Sequence, residues 1–168
     1  MKQVMALFSL VLLCSLLLVS CGKTSQQKQL ESDLNKRVMQ LHDSGMVKMR
    51  QAQTLDSQLD SAKVLHDSMA AKFPKDAANY SGDDIARSKE KLESAQGSMH
   101  AWMSTHKPYD AEARHDEMMD KLNADVQELT SVSAALDTAI VDATGTIESH
   151  RKFAAELLAK KTAKGSGK

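Results

Sequence analysis

Apolar residues recur every three or four positions along most of the chain. This spacing is typical of amphipathic helices, whereas half-buried strands alternate apolar and polar residues. The first stripe runs from Leu34 to Phe73. Pro74 follows it and is expected to end the helix, because proline lacks the backbone N–H that a helix uses. The pattern therefore predicts one long amphipathic helix in the first half of the chain.

Two further stripes predict two further helices. Residues 85–106 carry apolar side chains in alternating steps of three and four, which is heptad spacing. Ser81 and the aspartates after it predict the start of this helix, and Pro108 predicts its end. A third stripe covers residues 111–157. The short connector before it predicts that the second and third helices run antiparallel.

Together these elements predict an all-α fold, an antiparallel long–short–long bundle of three helices with coiled-coil-like packing. The first helix, at about 45 residues, would be roughly 70 Å long, and the second about 35 Å. One short helix cannot cover two long ones along their whole length. Either a long helix breaks near Gly145 and gives a fourth helix, or the uncovered seam is buried in a homo-oligomer, and the sequence leaves both alternatives open.

The N-terminal segment is the most apolar part of the chain. Residues 4–19 contain no charged side chain and follow Lys2. Sixteen residues are short for a membrane-spanning helix, which needs about 20, but are typical of the apolar core of an export signal. The four residues that end the segment, LVSC at 18–21, resemble the lipobox of bacterial lipoproteins.

That resemblance implies that residues 1–20 are a signal peptide, that Cys21 receives a diacylglycerol group, and that its new amine is acylated. Cys14, the other cysteine, is not preceded by a small residue and does not fit the pattern. Gly22 stands where lipoproteins of the inner membrane tend to carry aspartate, which implies the outer membrane. An ordinary secreted protein cut at the same point, or an uncleaved anchor helix, is the alternative.

Removing 20 residues from 168 leaves a mature chain of 148 with one cysteine, so no intramolecular disulfide is expected. We predict a lipidated polar tether at 21–29, the helical bundle at 30–159 and a flexible basic tail at 160–168. The 22 basic and 22 acidic residues of the full chain balance, which removes the whole-protein argument for nucleic-acid binding.

Methionine and histidine residues are the candidate metal ligands of the bundle. If the second helix starts opposite residue 72, its end at residue 106 lies opposite residue 50, and the third helix starts there too. Thioether and imidazole groups at one level suit Cu(I) or Ag(I). The candidate ligands are His42, Met46, Met49, Met103, His106, His115 and Met118.

The alternative interpretation is that these methionines fill the core, because methionine is a flexible apolar side chain with good helix propensity. The only tryptophan, Trp102, lies on the second stripe and is expected to be the largest core anchor. Motifs for nucleophilic, phosphate-binding or zinc chemistry are absent from the sequence. The expectation is a non-enzymatic protein without a cofactor, with Cu(I) as the alternative.

Two short segments carry a family resemblance. LHDSGMVKM at 41–49 and MHAWM at 99–103 resemble small Gram-negative helical lipoproteins of uncharacterised function, some of which are labelled viral A-type inclusion protein. The likeness covers roughly residues 1–145 and implies a helical lipoprotein without supplying an activity. Gly45 and Val47 depart from the pattern, where a bulkier residue and a proline are common. The matching positions are His42, Asp43, Met46, Lys48, Met49, Trp102 and Met103.

The function expected from the sequence is therefore that of an outer-membrane-anchored, non-enzymatic lipoprotein, held by lipid on Cys21. It would bind an unidentified envelope protein or cell-wall partner, or serve as a structural element of the envelope. A periplasmic Cu(I)- or Ag(I)-binding protein is the first alternative. A second rests on likeness to the murein lipoprotein, which is joined to peptidoglycan through its C-terminal lysine, here Lys168.

Overall fold

The computed structural model describes residues 23–77 and 81–165. The predicted signal peptide at 1–20, Cys21 and Lys168 lie outside the described residues. None of the helices within the described ranges is long and apolar enough to cross a membrane. The described chain forms four helices, α1 (Ser25–Lys72), α2 (Pro74–Ala77), α3 (Asp83–Thr105) and α4 (His115–Gly165).

The predicted all-α bundle is confirmed. The two long helices, α1 and α4, pack against each other, and the shorter α3 packs against both. Trp102 of α3 hydrogen-bonds Asp125 near the start of α4, whereas Ser88 bonds Thr146 much further along, so α3 and α4 are antiparallel. His115 bonds Glu31 and Lys48 bonds Asp137, so α1 and α4 run parallel.

Local sequence explains where α1 begins and ends. The Thr24 hydroxyl accepts the Gln27 backbone N–H, while the Gln27 side chain accepts the Thr24 N–H, which satisfies two backbone donors at the helix start. The prediction of a tether through residue 29 is therefore wrong, because this capping box begins the helix at Ser25. Pro74 ends α1 as predicted and also opens α2, since proline fits the first turn of a helix.

Residues 75–77, which follow Pro74, complete α2. Ser81 does serve the start of α3, because its hydroxyl accepts the Asp83 N–H at 3.1 Å. The third predicted helix, α4, starts later than its apolar stripe predicted. Residues 111–113 form a turn in which Asp110 accepts the Glu112 N–H, and α4 begins only at His115.

Of the two alternatives left open by the sequence, the break near Gly145 does not occur, because α4 is one continuous helix. Glycine costs only about 1 kcal/mol inside a helix. Ala143 and Ile147 on either side are buried in the core, which outweighs that cost. The helix also continues to Gly165, so the prediction of a flexible tail from residue 160 is wrong for residues 160–165. The homo-oligomer stays a prediction.

The core divides unevenly along the rod. The base end holds the start of α1 and the connector 106–114, and the tip end holds the end of α1, the start of α3 and the end of α4. A principal core fills the base end and the middle and includes Leu59, Leu92, Trp102 and Leu129. A small second core at the tip end consists of four buried residues, Met69, Phe153, Ala154 and Leu157.

Candidate functional site

The richest polar cluster of the base end is built around one carboxylate, Asp125 of α4. The Trp102 indole donates to Oδ1 of Asp125 at 3.0 Å, and the Tyr109 hydroxyl donates to Oδ2 at 2.6 Å. Trp102 is near the end of α3 and Tyr109 is in the connector, so one aspartate joins three segments of the chain. Only 14% of the Asp125 side chain is exposed, and hydrogen bonds to a shielded charged group are stronger than neutral ones.

His106 fills the space between these two aromatic rings. Its ring stacks on Trp102 with centroids 4.5 Å apart and meets Tyr109 edge-on at 5.3 Å. Its Nδ1 atom is 3.5 Å from Oδ2 of Asp125, and among the described residues this buried nitrogen makes no hydrogen bond. His42 lies near Trp102, with centroids 5.7 Å apart. The side chains of the cluster therefore contact one another and fill the space between them.

The Tyr109 hydroxyl is fixed in its protonated form. Burial raises the pKa of Tyr109 strongly, and the hydrogen bond to Asp125 and the negative charge of that carboxylate raise it further. The Lys121 ammonium stands over the Tyr109 ring at 4.9 Å from its centroid, a cation–π contact. The Tyr109 phenol donates to the Asp125 carboxylate and thereby holds the connector against α4.

A second polar cluster lies at the start of α1. Glu31 accepts hydrogen bonds from Lys23 at 3.0 Å and from His115 Nδ1 at 2.9 Å. Partial burial raises the pKa of Glu31, but the hydrogen bonds and positive charges of His115 and Lys23 outweigh that effect and hold it below its ordinary value. Lys23 also donates to the carbonyl of Ala111, so the residues before α1 are tied to the connector. Beside these residues is a cleft of about 420 Å³ lined by Lys23, Gln27, Lys28 and residues 111–116.

The predicted methionine–histidine level is not formed. Gly82 lies against the His66 ring, so α3 starts beside residue 66 and not beside residue 72. The connector then continues past the end of α3, and His115 is beside Glu31. The candidates therefore spread from the level of Glu31 to that of Met49, eighteen residues or about 27 Å along α1.

Packing explains most of these methionines. Met49 and Met118 are buried in the principal core with Trp102, and Met103 packs against it while partly exposed. Met46 is half-buried. Of the histidines, His42 bonds Asp43 at 3.1 Å, while His106 and His115 belong to the two clusters above. Metal binding by this set stays a prediction, although the candidate ligands do not lie at one level of the bundle. The described residues hold no group of three or more His, Cys, Asp or Glu suited to a metal ion.

The tip end has its own polar group. His66 and His150 are buried and meet edge-to-face, with ring centroids 5.0 Å apart. His150 Nε2 donates to Asp84 at 2.9 Å. Because Asp84 opens α3 and His150 is in α4, this bond fixes the start of the short helix against the long one. Both histidines lie inside the bundle.

Sequence reasoning missed Asp125, Tyr109 and Glu31. Asp125 precedes the apolar Val126 on the third stripe and carries no motif, so nothing marks it as the partner of a tryptophan 23 residues earlier. Glu31 is likewise one acidic residue in a polar segment. Comparison of the chain with protein-family models, curated proteins and solved structures gave no match.

Proposed function

We propose that the chain is a non-enzymatic lipoprotein of the outer membrane that holds a stiff helical rod close to the membrane surface. The observation that carries the proposal is the lipobox-like sequence that ends at Cys21, followed directly by a capped helix. Two or more acyl chains give stable anchoring, where one chain alone would be marginal.

The distance between anchor and rod is short. α1 starts at Ser25, four residues after Cys21, and four residues of chain span at most about 14 Å. Lys23 within this stretch is bonded to Glu31 and to the connector. With 48 residues, α1 is about 72 Å long. With its base end held this close to the lipid, an upright rod would present its tip end far from the membrane, which suits a spacer or docking element of the envelope.

Metabolic labelling with an alkyne-bearing palmitate in a Gram-negative host tests the anchor. The wild-type chain is expected to carry the label, and Cys21→Ala is expected to lose it and to accumulate uncleaved. Cys14→Ala is the matched control, since it removes the other cysteine and should keep the label. Label that persists in Cys21→Ala, or is missing from the wild type, would contradict the proposal.

Membrane separation on a density gradient tests the location. The wild-type chain is expected in the outer-membrane fraction. Gly22→Asp supplies the residue that the class associates with inner-membrane retention, so this variant should move to the inner-membrane fraction with labelling at Cys21 unchanged. A wild-type chain found in the inner-membrane fraction would refute the outer-membrane assignment and leave lipidation standing.

A further inference from the structure

Charge is separated along α4. Residues 115–150 contain eight acidic residues and one basic residue, whereas residues 151–165 contain five basic residues and one acidic residue. The end of α1 and α2 add Lys72 and Lys75 at the same end of the molecule, because Met69 and Phe73 pack with Phe153 and Leu157. Within a chain of no net charge, α4 is therefore basic at its C-terminal end and acidic along the rest of its length, while Asp76, Asp83 and Asp84 also lie at the tip end.

The basic residues of the tip end also differ in their pairing. In the middle of the rod, lysines are neutralised across helices, with Lys48 2.6 Å from Asp137 and Lys91 3.0 Å from Asp142. At the tip, five exposed lysines take part in none of the ion pairs found among the described residues, and these are Lys72, Lys75, Lys152, Lys160 and Lys161.

At the tip end, α4 extends beyond the second core. Leu157 is the last residue of α4 in the second core, and Leu158 after it is 47% exposed. The helix continues to Gly165 with Lys160 and Lys161 exposed to solvent. Residues 158–162 of α4 are therefore exposed, and Lys160 and Lys161 among them take part in none of the ion pairs found among the described residues.

We propose that the tip end is a docking surface for the carboxylate-bearing polymer of the cell wall. The inference rests on the proposed anchoring and names the partner that the anchored rod would reach. Unpaired lysines attract a polyanion at close range, and charge complementarity identifies its class. The acidic flank of α4, with Glu117, Asp120 and Glu128 exposed, would be repelled by an anionic membrane if the rod lay flat on it. That repulsion disfavours a rod that lies on its α4 side and leaves the tip as the surface for the partner.

Co-sedimentation of the full-length protein, purified in detergent, with isolated peptidoglycan sacculi tests this surface. We expect binding at low salt, loss of binding at high salt, and no binding to sacculi whose carboxylates have been converted to amides. Lys160→Gln/Lys161→Gln should weaken binding by about tenfold or more, as expected for two cations lost from an anionic contact. The matched control is Lys28→Gln/Arg37→Gln, which removes two exposed, unpaired cations from the base end and should bind like the wild type.

A second arm uses vesicles, either neutral or containing anionic phospholipid. Acyl chains on Cys21 insert into both kinds, so only a preference for the anionic vesicles would report the tip. That preference without sacculus binding would overturn the proposal in favour of a membrane contact. Equal binding by the tip variant and its control would overturn it too, as would wild-type protein that stays in the supernatant. Because sedimentation does not require lipid, and labelling of Cys21 does not require the tip, the two proposals fail separately.

Discussion

The two ends of the rod are held together differently. At the base end, one shielded aspartate binds a tryptophan and a tyrosine inside the principal core. At the tip end, a histidine pair and a core of four residues join α1, α3 and α4. Exposed lysines surround this smaller core. The larger core and stronger bonds of the base end predict that this end is more stable than the tip end, where the partner is proposed to bind.

Truncation of one aromatic side chain at each end gives the largest expected effect. Trp102→Ala removes the largest core residue and leaves a cavity, so it should lower the free energy of unfolding by about 3–5 kcal/mol. Phe153→Ala, in the smaller core and 9% exposed, should cost about 2 kcal/mol. Urea unfolding followed by far-UV circular dichroism measures both. Equal losses would mean that the two ends are equally well packed.

The two carboxylates that join helices offer the next comparison. Asp125→Asn leaves one of two shielded donors without a good acceptor and should cost about 1–3 kcal/mol. Asp84→Asn should cost less than about 1 kcal/mol, because the amide Oδ1 can still accept the His150 Nε2–H and the amide NH2 of this 35% exposed side chain can face water. The same urea experiment measures both variants. A larger loss from Asp84→Asn would reverse the order of the two ends.

Two helical glycines extend the comparison to backbone and packing. The Met99 side chain, fully buried, occupies the space where a Cβ on Gly45 would stand, while nothing lies within 4 Å of that position at Gly145. Gly145→Ala should therefore stabilise the protein by about 0.5–1 kcal/mol through helix propensity. Gly45→Ala should destabilise it by about 1 kcal/mol, because overpacking outweighs the same gain. Thermal melts of the two variants should shift in opposite directions, and an upward shift in both would show that Met99 is loosely held.

The pH dependence of Glu31 gives the smallest effect. Its pKa is lower in the folded protein, so its contribution is present above the ordinary value of 4.5 and is lost as the pH falls through the folded value. Glu31→Gln should lower the urea midpoint slightly at neutral pH, and the gap from the wild type should close in acid. Asp142→Asn is a parallel case, because the Lys91 hydrogen bond lowers the pKa of that carboxyl. Its urea midpoint should also lie below that of the wild type at neutral pH and approach it in acid. A gap that widens in acid would contradict the assignment.

The methionine–histidine set shows where reasoning along one helix stops. The three-and-four spacing placed Met49, Met99 and Met118 on inward faces, and all three are buried. The level at which they meet depends on how far each connection carries the chain along its neighbours. Gly82 at the start of α3 lies beside His66, and His115 after the connector lies beside Glu31. The spacing of apolar residues within one helix does not determine either of these positions along α1.

The sequence by itself determined the helical class, the prolines that end α1 and α3, and the side of each helix that faces the core, because these depend on neighbouring residues. It also supplied the lipobox-like segment, on which the proposed anchoring depends. Only the tertiary structure decided the register between helices, the partners of Asp125 and Glu31, and which lysines at the tip take part in none of the ion pairs found among the described residues. These features depend on residues that are distant in the chain and become neighbours only when the helices pack.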